Sequence, residues 1–113
     1  MVLQCVVTSG YVVSAPNGDN GINWGAYGPQ LLTWSRVDTD AEFFAVVLTN
    51  ADRNTLPHNI VLNAHVDGTR FSTYILPPYR NSFPKGDHFR INLVKSVEEQ
   101  DIIYAQSNEF STR

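Results

Sequence analysis

Clusters of Gly, Pro, Asn and Asp interrupt this chain roughly every ten to fifteen residues, and between them apolar and polar side chains alternate. That rhythm is the strongest constraint on the fold. Side chains of a strand point to opposite faces with period two, so one set can be buried while the other meets water. Leu32 and Trp34 share a face, as do Phe44, Val46 and Leu48, and Phe89, Ile91 and Leu93, with Arg90 and Asn92 opposite. Ile60, Leu62, Ala64 and Val66 make a fourth such set. The spacing predicts roughly seven strands: 3–14, broken near Ser9-Gly10, then 30–37, 42–50, 59–66, 71–76, 87–95 and 102–112. Ser96 to Asp101 is too short for more than a helical turn and reads as a solvated hairpin loop. Pro77-Pro78 and Pro84 deny ladder hydrogen bonds to their surroundings, which makes 76–86 a loop. A second long loop, rich in Gly and Asn, covers 16–29.

Two sheets that each bury one alternating face define an all-β, two-sheet antiparallel sandwich of immunoglobulin or fibronectin-III type. At 113 residues the chain makes one domain, 1–113, large enough to bury a core without staples. Its 17% of charged residues and net charge of −3 fit a globular protein with no basic stripe for nucleic acid. No apolar run approaches a membrane-spanning length. Cys5 has no second cysteine to pair with and reads as a small apolar side chain beside Val6 and Val7. Met1 to Val7 lacks the basic and apolar regions of a signal peptide, so export without a leader, or a cytoplasmic location, stays open at this point. The same apolar stretch is a candidate sheet edge for pairing between two copies.

Chemistry-bearing residues gather in the two loops. The first holds Asn23, Trp24 and Tyr27, the second Tyr79, Arg80 and Asn81. Aromatic rings stack on the apolar faces of sugars, while amide and charged groups bond their hydroxyls. Against this stands a simpler role, with Trp24 plugging the end of the sandwich and Phe83 tucked beneath its loop. His58, His65 and His88 lack metal-ligand spacing, and Asp19, Asp38 and Asp40 lack a calcium-loop pattern. Glu98, Glu99 and Asp101 read as a solvated loop. Asp87 and His88 are neighbours on a strand, where they face opposite ways and form no dyad. No nucleophile elbow or phosphate-binding loop occurs. Neither an enzyme nor a cofactor is implied.

Several pieces recur in one order. Pro16-Asn17-Gly18 precedes Trp24; Thr33-Trp34 lies within the strand Leu31-Leu32-Thr33-Trp34; Phe44 begins an alternating run that closes on Thr49-Asn50. Val66-Asp67, Pro77-Pro78 and Pro84-Lys85-Gly86 follow, then Phe89-Arg90-Ile91-Asn92 and Tyr104-Ala105-Gln106-Ser107 before Phe110. In this order the chain, from about Val12 to Ser111, resembles the fungal Kre9/Knh1-like domain of Ser/Thr-rich, GPI-anchored cell-wall and secreted proteins. The resemblance implies a β-sandwich at the cell wall or outside the cell, linked to β-glucan assembly, with no catalytic residues to carry over. A Ser/Thr-rich tail and a GPI signal are absent from this sequence. The expected function is recognition of a glycan or cell-surface glycoprotein. The alternative is a homodimeric, immunomodulatory type of interaction protein acting on cell-surface partners.

Overall fold

A computed structural model describes the backbone of residues 5–6 and all of residues 9–113. Among these residues the chain forms nine strands: β1 (Cys5–Val6), β2 (Val12–Ala15), β3 (Gln30–Ser35), β4 (Phe43–Asn50), β5 (Ile60–Asp67), β6 (Ser72–Ile75), β7 (Gly86–Val94), β8 (Ile102–Gln106) and β9 (Phe110–Thr112). The larger sheet runs β1-β8-β7-β4-β5, with β9 beside the start of β7; the smaller runs β2-β3-β6. Every pairing is antiparallel except that of β1 with β8. The expected sandwich is present, and its strands fall on the alternating segments.

The core lies between the sheets. Phe44, Val46 and Leu48 from β4 and Phe89, Ile91 and Leu93 from β7 meet Leu32 and Trp34 from β3 and Ile75 from β6, all buried. Trp34 lies edge-on to Phe44, with ring centroids 5.1 Å apart. Its indole N–H donates to the Gly68 carbonyl at 2.8 Å, which satisfies the polar atom that burial would otherwise strand.

Three details depart from simple alternation. Ala64 was expected inside and is exposed, because β5 carries extra residues against β4: Phe44 pairs with Val66, Val46 with Asn63 and Val47 with Val61. A bulge of this kind turns side chains to the other face. The last expected strand, 102–112, is two, because the buried Ser107 interrupts it. The Ile91 amide donates to Ser107 Oγ at 2.8 Å, a side chain standing in for a ladder carbonyl. Ala45, Val47, Val94 and Ile103 form a second buried cluster, on the opposite face of β4 and β7 from the main core. The expected homodimer edge, Met1 to Val7, and the packing of Cys5 lie outside the described residues, apart from the backbone of Cys5–Val6.

Candidate functional site

The two long loops meet. Their backbones form short bridges, with Tyr27 and Tyr79 each pairing with Ser82. The Phe83 amide donates to the Ala26 carbonyl at 2.7 Å, and the Gly28 amide to the Asn81 carbonyl at 3.3 Å. A tight turn, Tyr79 to Ser82, aims the second loop. Its third residue, Asn81, is left-handed (φ 64), a conformation Asn tolerates better than most residues. On the first loop Gln30 Nε2 donates to the Tyr27 carbonyl at 2.9 Å and Gln30 Oε1 accepts from the Gly25 amide at 2.9 Å. That side chain therefore ties the loop to the start of β3.

The result is a rim with two outward aromatic rings. Tyr27 is 60% exposed and Tyr79 52%. Lys85 Nζ sits 4.8 Å from the Tyr27 ring centroid, a cation–π contact that orients the ring. Arg80 and Asn81 at the turn are exposed beside them. These residues come from separate loops and share one place.

Two of the six expected residues lie elsewhere. Trp24 is only 3% exposed, so its ring presents no face to a ligand. It packs on Phe83 and Phe110 at centroid distances of 5.2 and 5.3 Å, and its indole N–H donates to the Leu31 carbonyl at 2.9 Å. Trp24 thus closes the end of the sandwich and supports the rim from beneath. Asn23 uses its carbonyl to accept from the Ser111 amide at 2.8 Å. It lines a shallow groove with Asp19, Asp87, His88 and Glu109, which neither rim tyrosine enters.

That groove and its neighbour were missed by reading the sequence. The neighbouring groove is lined by Arg53, His88, Arg90, Gln106 and Glu109, among others. His88 is left-handed (φ 67) at a bulge where Gly86 pairs with Thr112 and Phe89 with Phe110. The bulge removes the premise that Asp87 and His88 face opposite ways, since both line one groove. They still form no dyad. Asp87 accepts from Ser111 Oγ at 2.6 Å and from Arg113 at 3.1 Å, whereas His88 Nδ1 bonds Glu109 Oε2 at 3.0 Å. The Ser111 hydroxyl, followed by Arg113, holds the Asp87 carboxyl below its ordinary range. The Glu109 hydrogen bond raises the His88 imidazole above its ordinary value, and the same bond lowers Glu109. The Ser111 hydroxyl is bonded to Asp87 and not to the histidine, so Ser111 and His88 do not form a nucleophile–base pair. The grooves, about 200 and 300 Å³, sit at or below the small end of ligand pockets.

His65 stacks on Phe43, with centroids 4.4 Å apart. Asp40 accepts from the Gly10 and Val37 amides, both at 2.9 Å, which ties a turn. Among the described residues no group of three His, Cys, Asp or Glu side chains is gathered as a metal site requires.

An all-β sandwich of two sheets, with its long loops meeting at one rim, belongs to the class of immunoglobulin-like domains. A model of the Kre9/KNH-like N-terminal Ig-like domain matches residues 15–112, and the chain belongs to that family. The family is associated with cell-wall and secreted proteins and is not a known enzyme family. Neither the curated proteins nor the solved structures gave a significant match. No helix among the described residues is long and apolar enough to cross a membrane.

Proposed function

We propose that this protein is a non-enzymatic binding module of the cell wall or cell exterior that recognises a glycan at the Tyr27–Tyr79 rim. One observation carries the reading: two outward aromatic rings, brought from loops some fifty residues apart, flank Ser82 on a shared backbone framework. Rings stack on the apolar face of a pyranose, and Arg80, Asn81 and Lys85 supply donors for its hydroxyls. Recognition at a rim suits the shallow surface, because an enclosed pocket would bury most of a small ligand. The family's association with cell-wall proteins supports a polysaccharide as the natural target.

The test is titration of the protein with soluble β-glucan oligosaccharides, followed by amide and aromatic NMR shifts. Binding in the millimolar range or tighter is expected, with shifts centred on 26–28 and 79–83. Tyr27→Ala and Tyr79→Ala should each weaken binding about tenfold, equivalent to about 1.4 kcal/mol. No shift at millimolar sugar, or shifts unaffected by both substitutions, would refute the rim.

A further inference from the structure

We infer that the outer face of the three-stranded sheet is a docking platform for an uncharged polysaccharide. It extends the tyrosine rim and rests on the glycan reading of that rim. Register fixes which side chains form the platform. Leu31 lies opposite Tyr74, and Thr33 opposite Ser72. Their neighbours Leu32, Trp34 and Ile75 are buried in the core, so the alternate positions point outward. Tyr74 is 67% exposed, and Leu31 and Leu76 are exposed with it. Ser14 Oγ and Thr33 Oγ1 lie 2.7 Å apart, which places a hydroxyl pair among the apolar side chains. The platform joins the rim at both ends of the chain path. Gln30 holds Tyr27 at the start of β3, and Leu76 runs through Pro77-Pro78 to Tyr79.

Charge points to the occupant. β2, β3 and β6 hold 4, 6 and 4 residues, fourteen in all, and none is charged. An exposed sheet face is where soluble proteins place Lys and Glu, to hinder sticking. A neutral face of hydroxyls and aliphatic side chains around one ring, Tyr74, complements a neutral polymer of hydroxyls and pyranose faces. The area argues against a second copy of this chain as occupant. Three strands at about 4.8 Å spacing and five residues at about 3.4 Å give a footprint of roughly 240 Å². A stable protein pair needs about 800 Å² on each side. A polymer needs far less per contact, because many weak contacts on one insoluble surface sum through avidity.

The experiment is a pull-down of the whole chain on particulate β-glucan and on its carboxymethylated, anionic counterpart. In parallel, the chain is titrated with short soluble oligosaccharide, and sedimentation and thermal melting are measured. Tyr74→Ala removes the platform ring, and Thr33→Lys places a charge at its centre. Each is expected to lower the particle-bound fraction at least fivefold and to leave oligosaccharide binding and melting unchanged. The carboxymethylated particles are expected to retain less protein than the neutral ones. Tyr27→Ala should weaken both kinds of binding. Particle binding by Tyr74→Ala and Thr33→Lys equal to the parent overturns the platform but not the rim. So does a parent that binds oligosaccharide and ignores particles. A parent that binds neither overturns both. A dimer that Tyr74→Ala dissociates makes a second copy the occupant and overturns the proposal.

Discussion

Two tryptophans and two tyrosines divide this molecule's labour by exposure. Trp24 and Trp34 are buried and each spends its N–H on a backbone carbonyl, so their role is packing. Tyr27 and Tyr79 are exposed and contribute little to the core. Trp24→Ala should therefore cost about 3–5 kcal/mol in chemical denaturation, as deletion of a large buried ring does. Tyr27→Ala should stay within about 0.5 kcal/mol of the parent, as surface changes usually do. Equal losses from the two would remove the distinction on which the rim reading depends. Gly68 makes a second residue-scale case. A Cβ there would overlap the Tyr11 hydroxyl, which itself donates to the Ala41 carbonyl, and would lie 3.1 Å from the Glu42 carbonyl oxygen. Gly68→Ala should cost about 1–3 kcal/mol by overpacking, read from the denaturant midpoint at unchanged slope. A neutral result would mean that Tyr11 yields without loss.

At the scale of elements, the bulge in β7 ties the strand to the segment before β9 through an ion pair. Glu109 raises the His88 pKa above its ordinary 6.5, and His88 lowers that of Glu109 below its ordinary 4.5. A raised histidine adds stability that is full below pH 6.5 and is lost as pH rises through the folded value. A lowered carboxylate adds stability that is present above 4.5 and is lost as pH falls through its folded value. The pair should therefore contribute most between pH 4.5 and 6.5. Both side chains are solvated, so the effect is small and screened by salt. Denaturant midpoints at low salt should fall between pH 6 and 8, and Glu109→Gln or molar salt should flatten that fall. A slope untouched by Glu109→Gln would assign it to other groups. This bulge also marks where reading the sequence stops. Strands β3, β4 and β7 were legible because each carries apolar residues at alternate positions: Leu32 and Trp34, then Phe44, Val46 and Leu48, then Phe89, Ile91 and Leu93. Nothing in Gly86-Asp87-His88-Phe89 announces an extra residue, and only the pairing with β9 creates one. The exposure of Ala64 was hidden for the same reason, since a bulge is a property of two strands and a sequence shows one at a time. For the rim, Tyr27 and Tyr79 were visible as loop aromatics, whereas their meeting at Ser82 depends on long-range closure.

Across the whole molecule, the last residues hold together parts that are distant in sequence. Gly18, Trp24 and Ala26 donate their amides to the carbonyls of Glu109, Ser111 and Arg113, at 2.9, 3.2 and 2.9 Å. Thr112 Oγ1 accepts from the Gly86 amide at 3.1 Å and donates to the Pro84 carbonyl. Phe110 packs against Trp24 and Phe89. The segment from Glu109 to Arg113 is thus a shared edge on which the first loop, the second loop and the start of β7 all rest, and the rim inherits its shape from that edge. Removing residues 110–113 should leave β4, β5 and β8 paired and release both loops together. Hydrogen exchange gives the direct readout: the amides of Trp24, Ala26 and Gly86 lose their acceptors and should exchange much faster than in the parent, while Val46 and Leu93 stay protected. The Phe83 amide bonds Ala26 and not the removed segment, so its protection reports on whether the loops move as a unit. Faster exchange at Phe83, together with loss of oligosaccharide shifts at Tyr79, would mean that one cooperative closure shapes the binding rim. Phe83 protection equal to the parent would mean that the second loop holds its form alone, and that the tyrosines meet without help from the end of the chain.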